Sequence, residues 1–495
     1  MLEYLKTESN RTLTENGAET YRSAGSDCLD LFASIGALRH AEDREVIDRF
    51  IRAYTENADI AMRILFFARD VRGGLGERKV FRTILRRLAD SEPTSVRKNI
   101  SRIAEYGRWD DLLALYGTKC EQDALNCIAA QLQKDLAAAD AEEKEVSLLA
   151  KWLPSVNASN AETVKAAKKT ARALHMTDAQ YRKTLTLLRA RIRILENNLR
   201  ERDYTFDYSK QPSQAMLKYR KAFLRNDSER YQSFLHKVHT GEAVLHTGTL
   251  LPYELVDPLL DGYWHNRSTV KELSAEEQNV FNTTWSAFPD YTSGENALVV
   301  VDTSGSMYMS RNPKPAAVAL SLGLYFAERS KGAFANHFIE FSNQARLIEI
   351  KGNTFYDRLR YLGTFNDIAN TDLNKVFTLI LDAAVRNHVP QEELPQKLYL
   401  ISDMEFDQAV TGASVTNFES AKQRFAAAGY KLPDVIFWNV DSRSRQQPVR
   451  MHETGTALIS GCTPRIFSMA TSGELSPYLY MMEVLGSERY RAITA

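Results

Sequence analysis

The strongest constraint on the fold is a change of sequence pattern near residue 295. Beyond it, five short apolar runs alternate with segments of helical period; the runs are NALVVVD, NHFIEFS, ARLIEI, KLYLISD and DVIFWNV, and the helical segments are PAAVALSLGLYFAERSKG, TDLNKVFTLILDAAVRNH, NFESAKQRFAAAG and PYLYMMEVLG. Strands that are apolar on both faces and separated by helices form a largely parallel sheet covered on both sides. We therefore predict that residues 295–495 form one doubly wound, Rossmann-like α/β domain.

Residues 1–285 follow a different pattern. Segments such as EVIDRFIRAYTENADIAMRILFFARDV and ALNCIAAQLQKDLAAADAEEKEVSLLAKWL place apolar residues at helical spacing, and no strand-like run separates them. Helices of this kind bury their apolar faces against one another, as in a solenoid of helix pairs. We predict an α-helical, HEAT-like repeat domain over residues 1–285, without a strict sequence period.

The composition and the N-terminal sequence indicate in which compartment the protein is expected. The four cysteines are scattered without CxxC spacing, which favours a reducing compartment over a disulfide framework. The first residues, MLEYLKTESNRTLTENG, lack the apolar core of a signal peptide, and no stretch approaches the length of a membrane span. We expect a cytoplasmic protein with no membrane partner.

Polar side chains directly follow two of the predicted strands. ALVVVD ends in Asp302, with Ser304 and Ser306 at alternate positions after it, and KLYLISD ends in Asp403. Because ligands of open α/β sheets lie beyond the carboxyl ends of the strands, these side chains should meet at one edge. Thr371, at the start of a later helix, offers a further oxygen and also suits an N-cap. Oxygen donors without His or Cys favour Mg²⁺, or else Mn²⁺ or Ca²⁺, over zinc.

This constellation resembles the metal-ion-dependent adhesion site (MIDAS) of von Willebrand factor A (vWA) domains. In that family, a DxSxS motif follows the first strand, a Thr lies on a later loop, and an Asp follows a further strand. The resemblance implies that the three hydroxyl side chains bind the cation directly and that the two aspartates act mostly through water. It also implies an open position for water or for an acidic group of a partner. Thr364, seven residues before Thr371, is the alternative threonine.

The helical half contains a local excess of positive charge. The whole chain has 63 Lys and Arg against 63 Asp and Glu, but residues 151–225 contain 17 Lys and Arg and six Asp and Glu. Guanidinium groups on a helix that packs on its other side suit phosphate backbones, and the interleaved Tyr and Phe suit stacking on unpaired bases. A solvated charged face is the alternative interpretation. The residues we expect to contact RNA, including a second cluster around a Gly-Gly turn, are Arg69, Arg72, Arg78, Lys79, Arg182, Lys183, Arg189, Arg193, Lys210, Lys218, Arg220 and Lys221.

The chain as a whole resembles the TROVE-type Ro ribonucleoproteins, which combine α-helical repeats with a C-terminal vWA domain. It is most similar to a related family found in bacteria, phages, plants and fungi, through FFARDVRGGLGERKVFR, EYGRWDDLL, LAKWLPS, DYSKQPSQAMLKYRKAFLRND and VVVDTSGSM. In Ro proteins the repeats close into a ring that binds single-stranded RNA ends in its hole and small RNAs on its basic surface. The resemblance implies that architecture more firmly than the individual RNA contacts.

Three functional hypotheses follow from these patterns. The leading one is a non-catalytic, monomeric, Ro-like scaffold for small structured, misfolded or single-stranded RNA, with a divalent cation in the vWA domain. The second is a metal-dependent module that binds an acidic protein partner without RNA. The third is an Mg²⁺-dependent nuclease, which would need a second carboxylate-rich position such as Asp372, Glu405 or Asp407.

Overall fold

The C-terminal part of the chain is built around a six-stranded sheet. The computed structural model describes residues 1–141, 146–264, 267–292, 294–309, 311–342, 344–364, 371–407, 415–469 and 475–495. Its strands are β1 (Arg11–Leu13), β2 (Glu19–Tyr21), β3 (Leu260–Trp264), β4 (Arg267–Val270), β5 (Ala297–Asp302), β6 (His337–Phe341), β7 (Ala345–Glu349), β8 (Lys397–Ser402), β9 (Asp434–Asn439) and β10 (Thr456–Ser460).

The order of the strands in this sheet is β10-β9-β8-β5-β6-β7. All neighbours are parallel except β6 and β7, which are antiparallel. Every residue of β5 is buried, as its continuous apolar run predicts. The chain leaves β5 for β6 on one side and later returns to β8 on the other, so the topological switch point lies at the carboxyl ends of β5 and β8.

Helices make up most of the remaining structure, and the predicted fold class, helical repeats followed by an α/β domain, is confirmed. The α-helices are Leu2–Asn10, Asp27–Phe32, Asp43–Glu56, Ala58–Arg69, Lys79–Ser91, Pro93–Asn99, Ile103–Tyr106, Glu121–Asp140, Leu149–Trp152, Ala161–Ala173, Asp178–Ile192, Leu195–Glu201, Ser213–Asn226, Ser228–His239, Tyr253–Val256, Ala275–Ser286, Pro315–Arg329, Phe355–Leu362, Leu373–Asn387, Asn417–Ala427, Pro477–Gly486 and Glu488–Arg491. The 3-10 helices are Ile35–Ala37, Ile100–Arg102, Trp109–Leu115, Tyr208–Lys210, Gly305–Tyr308, Gln391–Glu393 and Pro464–Ser468.

The contacts divide the chain into two compact units. The first contains Met1–Ile64 and Pro212–Arg489, and the second contains Leu65–Gln211 and Tyr490–Ala495. The first 64 residues thus belong with the α/β sheet by contact, although their sequence pattern is helical. The division into residues 1–285 and 295–495 stays a prediction about sequence pattern.

Backbone contacts explain why the start of the chain belongs to the first unit. Tyr21, in β2, exchanges two backbone hydrogen bonds with Gln447, at 3.1 and 2.8 Å. Gly36 N donates to Ser460 Oγ at 2.9 Å, at the end of β10. A Cβ at Gly36 would lie only 2.6 Å from the Ser460 carbonyl oxygen, so this close approach requires glycine.

The N-terminal 285 residues are not purely helical, contrary to the prediction. β1 and β2 form one antiparallel pair, and β3 and β4 form another. Each pair consists of strands of only three to five residues, which are too short to stand out from the helical spacing of the sequence around them. Within the described part of the chain, every helix is too short or too polar to cross a membrane.

Candidate cation site and basic surface

The DxSxS residues form a tight turn at the carboxyl end of β5. Asp302 is the last residue of the strand, and Ser304 N donates to its Oδ1 at 2.8 Å. This bond folds the chain back, so that Ser304 Oγ and Ser306 Oγ lie 3.2 Å apart. Two oxygens at right angles around Mg²⁺, each about 2.1 Å from it, would be about 3.0 Å apart. The spacing of the two hydroxyls is therefore close to that of neighbouring ligands in an octahedral site.

Asp403 and Asp302 lie close enough to interact electrostatically. Ser402, the last residue of β8, donates its hydroxyl to Asp302 Oδ2, and Asp403 follows directly. Both aspartates are buried. Burial, and next the charge of Asp403, raise the pKa of Asp302 to about 7.

Thr371 is held between the loops that follow β6 and β8, the two neighbours of β5. Its backbone N donates to Asp407 Oδ2 at 3.1 Å and its carbonyl accepts from Asp407 N at 2.8 Å. The next residue, Asp372, donates its N to Ser342 O at 3.2 Å. Thr371 is buried, whereas Thr364 is exposed and donates to Tyr361 O. These positions favour Thr371 over Thr364, but as a ligand it stays a prediction.

Asp372, and not Thr371, occupies the N-cap position of the Leu373–Asn387 helix. The suggested capping role of Thr371 is therefore wrong, and its hydroxyl is not needed to cap the start of that helix.

The donor set at this edge fits a hard cation. Asp302 is fully buried, and among the described residues no Lys, Arg or His side chain pairs with it; its hydrogen bonds come from Ser304 N and Ser402 Oγ. A buried carboxylate without a cationic partner is costly. No group of three or more His, Cys, Asp or Glu ligands occurs in the described part of the chain. The proposed site would not form such a group, because it contains only two carboxylates and its other oxygens come from hydroxyl side chains.

The structure adds two charged residues to this edge that were not predicted from the sequence, Arg443 and Glu15, and it also places Glu405 there, one of the acids named above for a second carboxylate position. Arg443 donates from Nη2 to Asp403 Oδ2 at 2.9 Å and from Nη1 to Glu15 Oε2 at 2.7 Å. Glu405 is fully buried and accepts from Glu15 N at 2.9 Å and from Ser444 Oγ and Gln446 Nε2 at 2.6 Å each. Burial of Arg443 opposes its charge, but Asp403, Glu15 and Glu405 outweigh this and keep its pKa above the ordinary value.

The predicted RNA contacts separate into exposed and internal residues. The exposed ones are Arg72, Arg78, Lys79, Arg182, Lys183, Arg193, Lys210, Lys218 and Lys221. Two exposed arginines of the Lys79–Ser91 helix, Arg86 and Arg87, were not predicted from the sequence although they lie about two turns beyond Lys79, the last residue of the Gly-Gly cluster.

Arg69 has a structural role that removes it from the expected surface. It is 2% exposed, and its Nε donates to Asp111 Oδ2 at 2.7 Å. Asp111 is fully buried and also accepts from Arg82 Nε at 2.6 Å and from Arg108 N at 2.9 Å. A Cβ at Gly107 would lie 2.3 Å from Asp111 Oδ2, so the glycine leaves room for this carboxylate.

Three of the motifs noted in the sequence meet in this network. FFARDVRGGLGERKVFR contributes Arg69 and Arg82, and EYGRWDDLL contributes Gly107, Arg108 and Asp111. LAKWLPS contributes a tryptophan, Trp152, whose ring centroid lies 4.1 Å from the guanidinium carbon of Arg108. These motifs therefore specify the interior of the second unit.

Two other predicted RNA contacts are also used within the protein. Arg189 donates to Ala150 O at 2.8 Å and to Leu153 O at 2.9 Å, at the end of the Leu149–Trp152 helix. Arg220 donates to Leu217 O and lies 5.0 Å from the ring centroid of Phe281. We leave both arginines, with Arg69, out of the proposed RNA surface.

Comparisons with known proteins identify relatives along most of the chain. A family model described as domain of unknown function DUF2828 matches residues 14–127 and 157–291. A second, described as domain of unknown function DUF7788, matches residues 296–475.

The chain also has a viral relative and a structural neighbour. It is 27% identical over 518 residues to uncharacterized protein L728 of Acanthamoeba polyphaga mimivirus, which covers 96% of this chain and 87% of that protein. It is similar to the Ro (RSR) protein of Deinococcus radiodurans, with 16% identity and a TM-score of 0.48 over 94% of this chain and 100% of that chain. A structural likeness of this size has no bearing on function, and the relation to TROVE-type proteins stays a prediction. The DUF2828 model covers half of the sequence, and the chain belongs to that family.

Proposed function

We propose that the protein is a non-catalytic, monomeric, RNA-binding scaffold whose α/β domain holds a divalent cation. The observation that supports the RNA proposal is that basic side chains on the Asp178–Ile192 helix and at its C-cap are exposed and lack an acidic partner among the described residues. Arg182, Lys183 and Arg193 are exposed, and none of the three side chains is paired with an acid among the described residues. The buried side of the helix, with Tyr181 and Leu185, holds it in place.

An unpaired, exposed row of this kind suits the phosphates of RNA. The helix and its C-cap span about 16 Å between Arg182 and Arg193 at 1.5 Å per residue. Phosphate contacts along such a row release counterions, so affinity should fall with salt. Stacking of aromatic side chains on bases is a smaller part of the proposal than the sequence suggested. Phe223, one of the aromatic residues interleaved with the basic ones, is fully buried.

The cation part of the proposal is carried by Asp302, whose buried charge has no cationic side-chain partner. Ser304, Ser306 and Thr371 would hold the cation directly, and Asp302 and Asp403 would act mostly through water. Mg²⁺ is the expected ion, and it would supply positive charge and an open coordination position there. All of these groups lie on rigid strand ends or on turns fixed by hydrogen bonds.

We expect Ser304→Ala to weaken Mn²⁺ binding at least tenfold, because it removes one direct oxygen ligand. Mn²⁺ titration followed by electron paramagnetic resonance measures the dissociation constant. Ser321→Ala is the matched control, because its hydroxyl is also buried in this unit but donates to Val318 O within a helix. Equal Mn²⁺ affinities in the two variants would rule out Ser304 as a ligand.

We expect Mn²⁺ affinity to depend on pH through Asp302. Its pKa in the cation-free chain is raised to about 7 by burial and by Asp403, so below that pH a proton competes with the cation. The affinity should be constant above about pH 8 and fall about tenfold per pH unit below about pH 7. The same titration at several pH values tests this, and a flat profile down to about pH 5.5 would contradict it.

A second candidate function, capture of an acidic protein partner, is favoured by Arg443. This guanidinium faces carboxylates on both of its terminal nitrogens beside the proposed cation. The nuclease hypothesis is less well supported, because both oxygens of Glu405 already accept hydrogen bonds from the protein. Incubation of a labelled RNA with the protein and Mg²⁺ should leave the RNA intact.

A further inference from the structure

An arginine follows the two serines of the proposed cation site and is paired with an acid from another loop. Arg311 comes after Ser306 in the loop that follows β5. Its Nη1 donates to both carboxylate oxygens of Asp441. Asp441 lies just beyond Asn439, the last residue of β9. This ion pair therefore joins the loop that follows β5 to the loop that follows β9.

The Arg311–Asp441 pair spans the strand that leads to Asp403. β8 lies between β5 and β9 in the sheet. Neighbouring strands are about 4.8 Å apart, so the two joined loops leave strands that are about 10 Å apart. Burial raises the pKa of Asp441, Arg311 opposes this shift and Asp403 adds to it, so the two carboxylates are close enough to repel each other. The ion pair is thus a neighbour of the proposed site and not a part of its ligand set.

The loop that follows β9 gives this pair a firm anchor. Ser442 N donates to Ala37 O at 3.0 Å. Arg49, which is itself buried, donates from Nη1 to Ser442 Oγ at 3.1 Å and from Nη2 to Ser444 O at 2.7 Å. Asp441 directly precedes these contacts, so its position is fixed independently of Arg311.

The exposure of the two partners shows why the arginine has to stay in place. The Asp441 side chain is 3% exposed and that of Arg311 is 25% exposed. A carboxylate this deeply buried is costly without a cationic partner. Release of Arg311 is therefore unfavourable, and the loop that carries Ser304 and Ser306 is held at a second point beyond its turn at Asp302.

We propose that Arg311 and Asp441 are positioning residues whose ion pair holds the Ser304–Ser306 loop in the geometry that binds the cation. The inference rests on the proposed cation site and assigns a role to two residues that do not bind the ion themselves. Partners that orient the ligands of a metal typically contribute about 10- to 100-fold to its affinity. A change of charge alone would act in the opposite direction at Arg311, because a guanidinium near a cation repels it.

The test measures the Mn²⁺ dissociation constant of the full chain by electron paramagnetic resonance. The variants are Arg311→Gln, Arg311→Lys, and Arg311→Gln combined with Asp441→Asn. The combined variant leaves the net charge unchanged and no carboxylate buried without a partner, so it separates loop positioning from charge and from misfolding. Lys397→Gln is the matched control: it also removes a positive charge from an ion pair, with Glu295 at 2.6 Å, but at the amino end of β8.

We expect Arg311→Gln and the combined variant each to weaken Mn²⁺ binding about tenfold. Arg311→Lys keeps the charge and a donor for Asp441, so it should bind Mn²⁺ nearly as wild type does, and so should Lys397→Gln. Thermal unfolding of the cation-free proteins checks that each variant is folded.

Three results would count against this account. Unchanged or tighter Mn²⁺ binding by Arg311→Gln would overturn the inference and leave the cation site standing. Wild-type affinity in the combined variant would do the same, because it would show that only charge matters at this pair. Absence of Mn²⁺ binding by wild type would overturn the cation site and this inference together.

Discussion

We expect Asp111→Ala to lower the free energy of unfolding of the unit that contains Leu65–Gln211 by about 3–5 kcal/mol. Asp111 and its partner Arg69 are 0% and 2% exposed, and their ion pair is 2.7 Å long. Removing the carboxylate leaves the guanidinium of Arg69 buried without a partner, which costs far more than the pair itself contributes. Arg82 keeps a second acid, Asp110, at 2.7 Å, so the loss falls mainly on Arg69.

The stability measurement should be confined to this unit, because a chain of two compact units need not unfold in one step. Urea unfolding, monitored by hydrogen exchange of peptides from residues 65–211, gives the free energy of unfolding of this unit. Glu201→Ala is the control: its pair with Arg200 is 2.8 Å long but exposed, and its loss should cost less than about 0.5 kcal/mol. A similar small loss for Asp111→Ala would mean that Arg69 finds water or another acceptor.

The α/β domain was the part of the fold most open to prediction. β5, β8 and β9 are buried on both faces, so each appears as a continuous apolar run. β10 was missed although all five of its residues are buried, because Thr456 and Ser460 shorten its apolar run to three residues. The Phe355–Leu362 helix was missed for a similar reason, since two turns give too few apolar positions to establish a period.

The cation edge was predictable in position but not in its charge pairing. The rule that ligands lie beyond the carboxyl ends of strands places Asp302 and Asp403 together, and the structure does the same. Applied to DVIFWNV, the same rule would have found Arg443 four residues after β9. Glu15 had no such signal, because it reaches this edge through contacts with Glu405 and Arg443, which lie 390 and 428 residues further along the chain.

The basic residues show the limit of an argument from charge. Arg69 and Arg182 look alike in sequence, but Arg69 is buried against an acid 42 residues away. Local spacing identifies which residues of a helix face inward, as at Leu185 and Leu188. It does not reveal which distant carboxylate a given arginine will meet.

We expect replacement of Arg182, Lys183 and Arg193 by Gln to weaken binding of single-stranded RNA about 100-fold at 0.1 M salt. Each phosphate contact changes the slope of log affinity against log salt by about 0.7 for single strands, so the loss of three contacts changes this slope by about 2. Over the tenfold range of salt from about 1 M down to 0.1 M, a slope change of about 2 corresponds to about a hundredfold change in affinity. The side chains are exposed, and the substitutions should leave stability nearly unchanged.

The control removes the same charge elsewhere. Lys351, Arg386 and Lys422 are exposed and each pairs with a neighbouring acid in the first unit. Their triple Gln variant should bind RNA like wild type in the same gel-shift or anisotropy titration. Equal losses in the two triple variants would point to net charge alone and against a defined surface.

The central claim, that this chain binds RNA through exposed basic side chains, is tested most directly by the salt dependence of the wild-type affinity. Fluorescence anisotropy with a labelled single-stranded RNA between about 50 and 200 mM KCl should give a slope of log affinity against log salt of about −2 or steeper. No binding at the lowest salt concentration, or a slope near zero, would contradict the account.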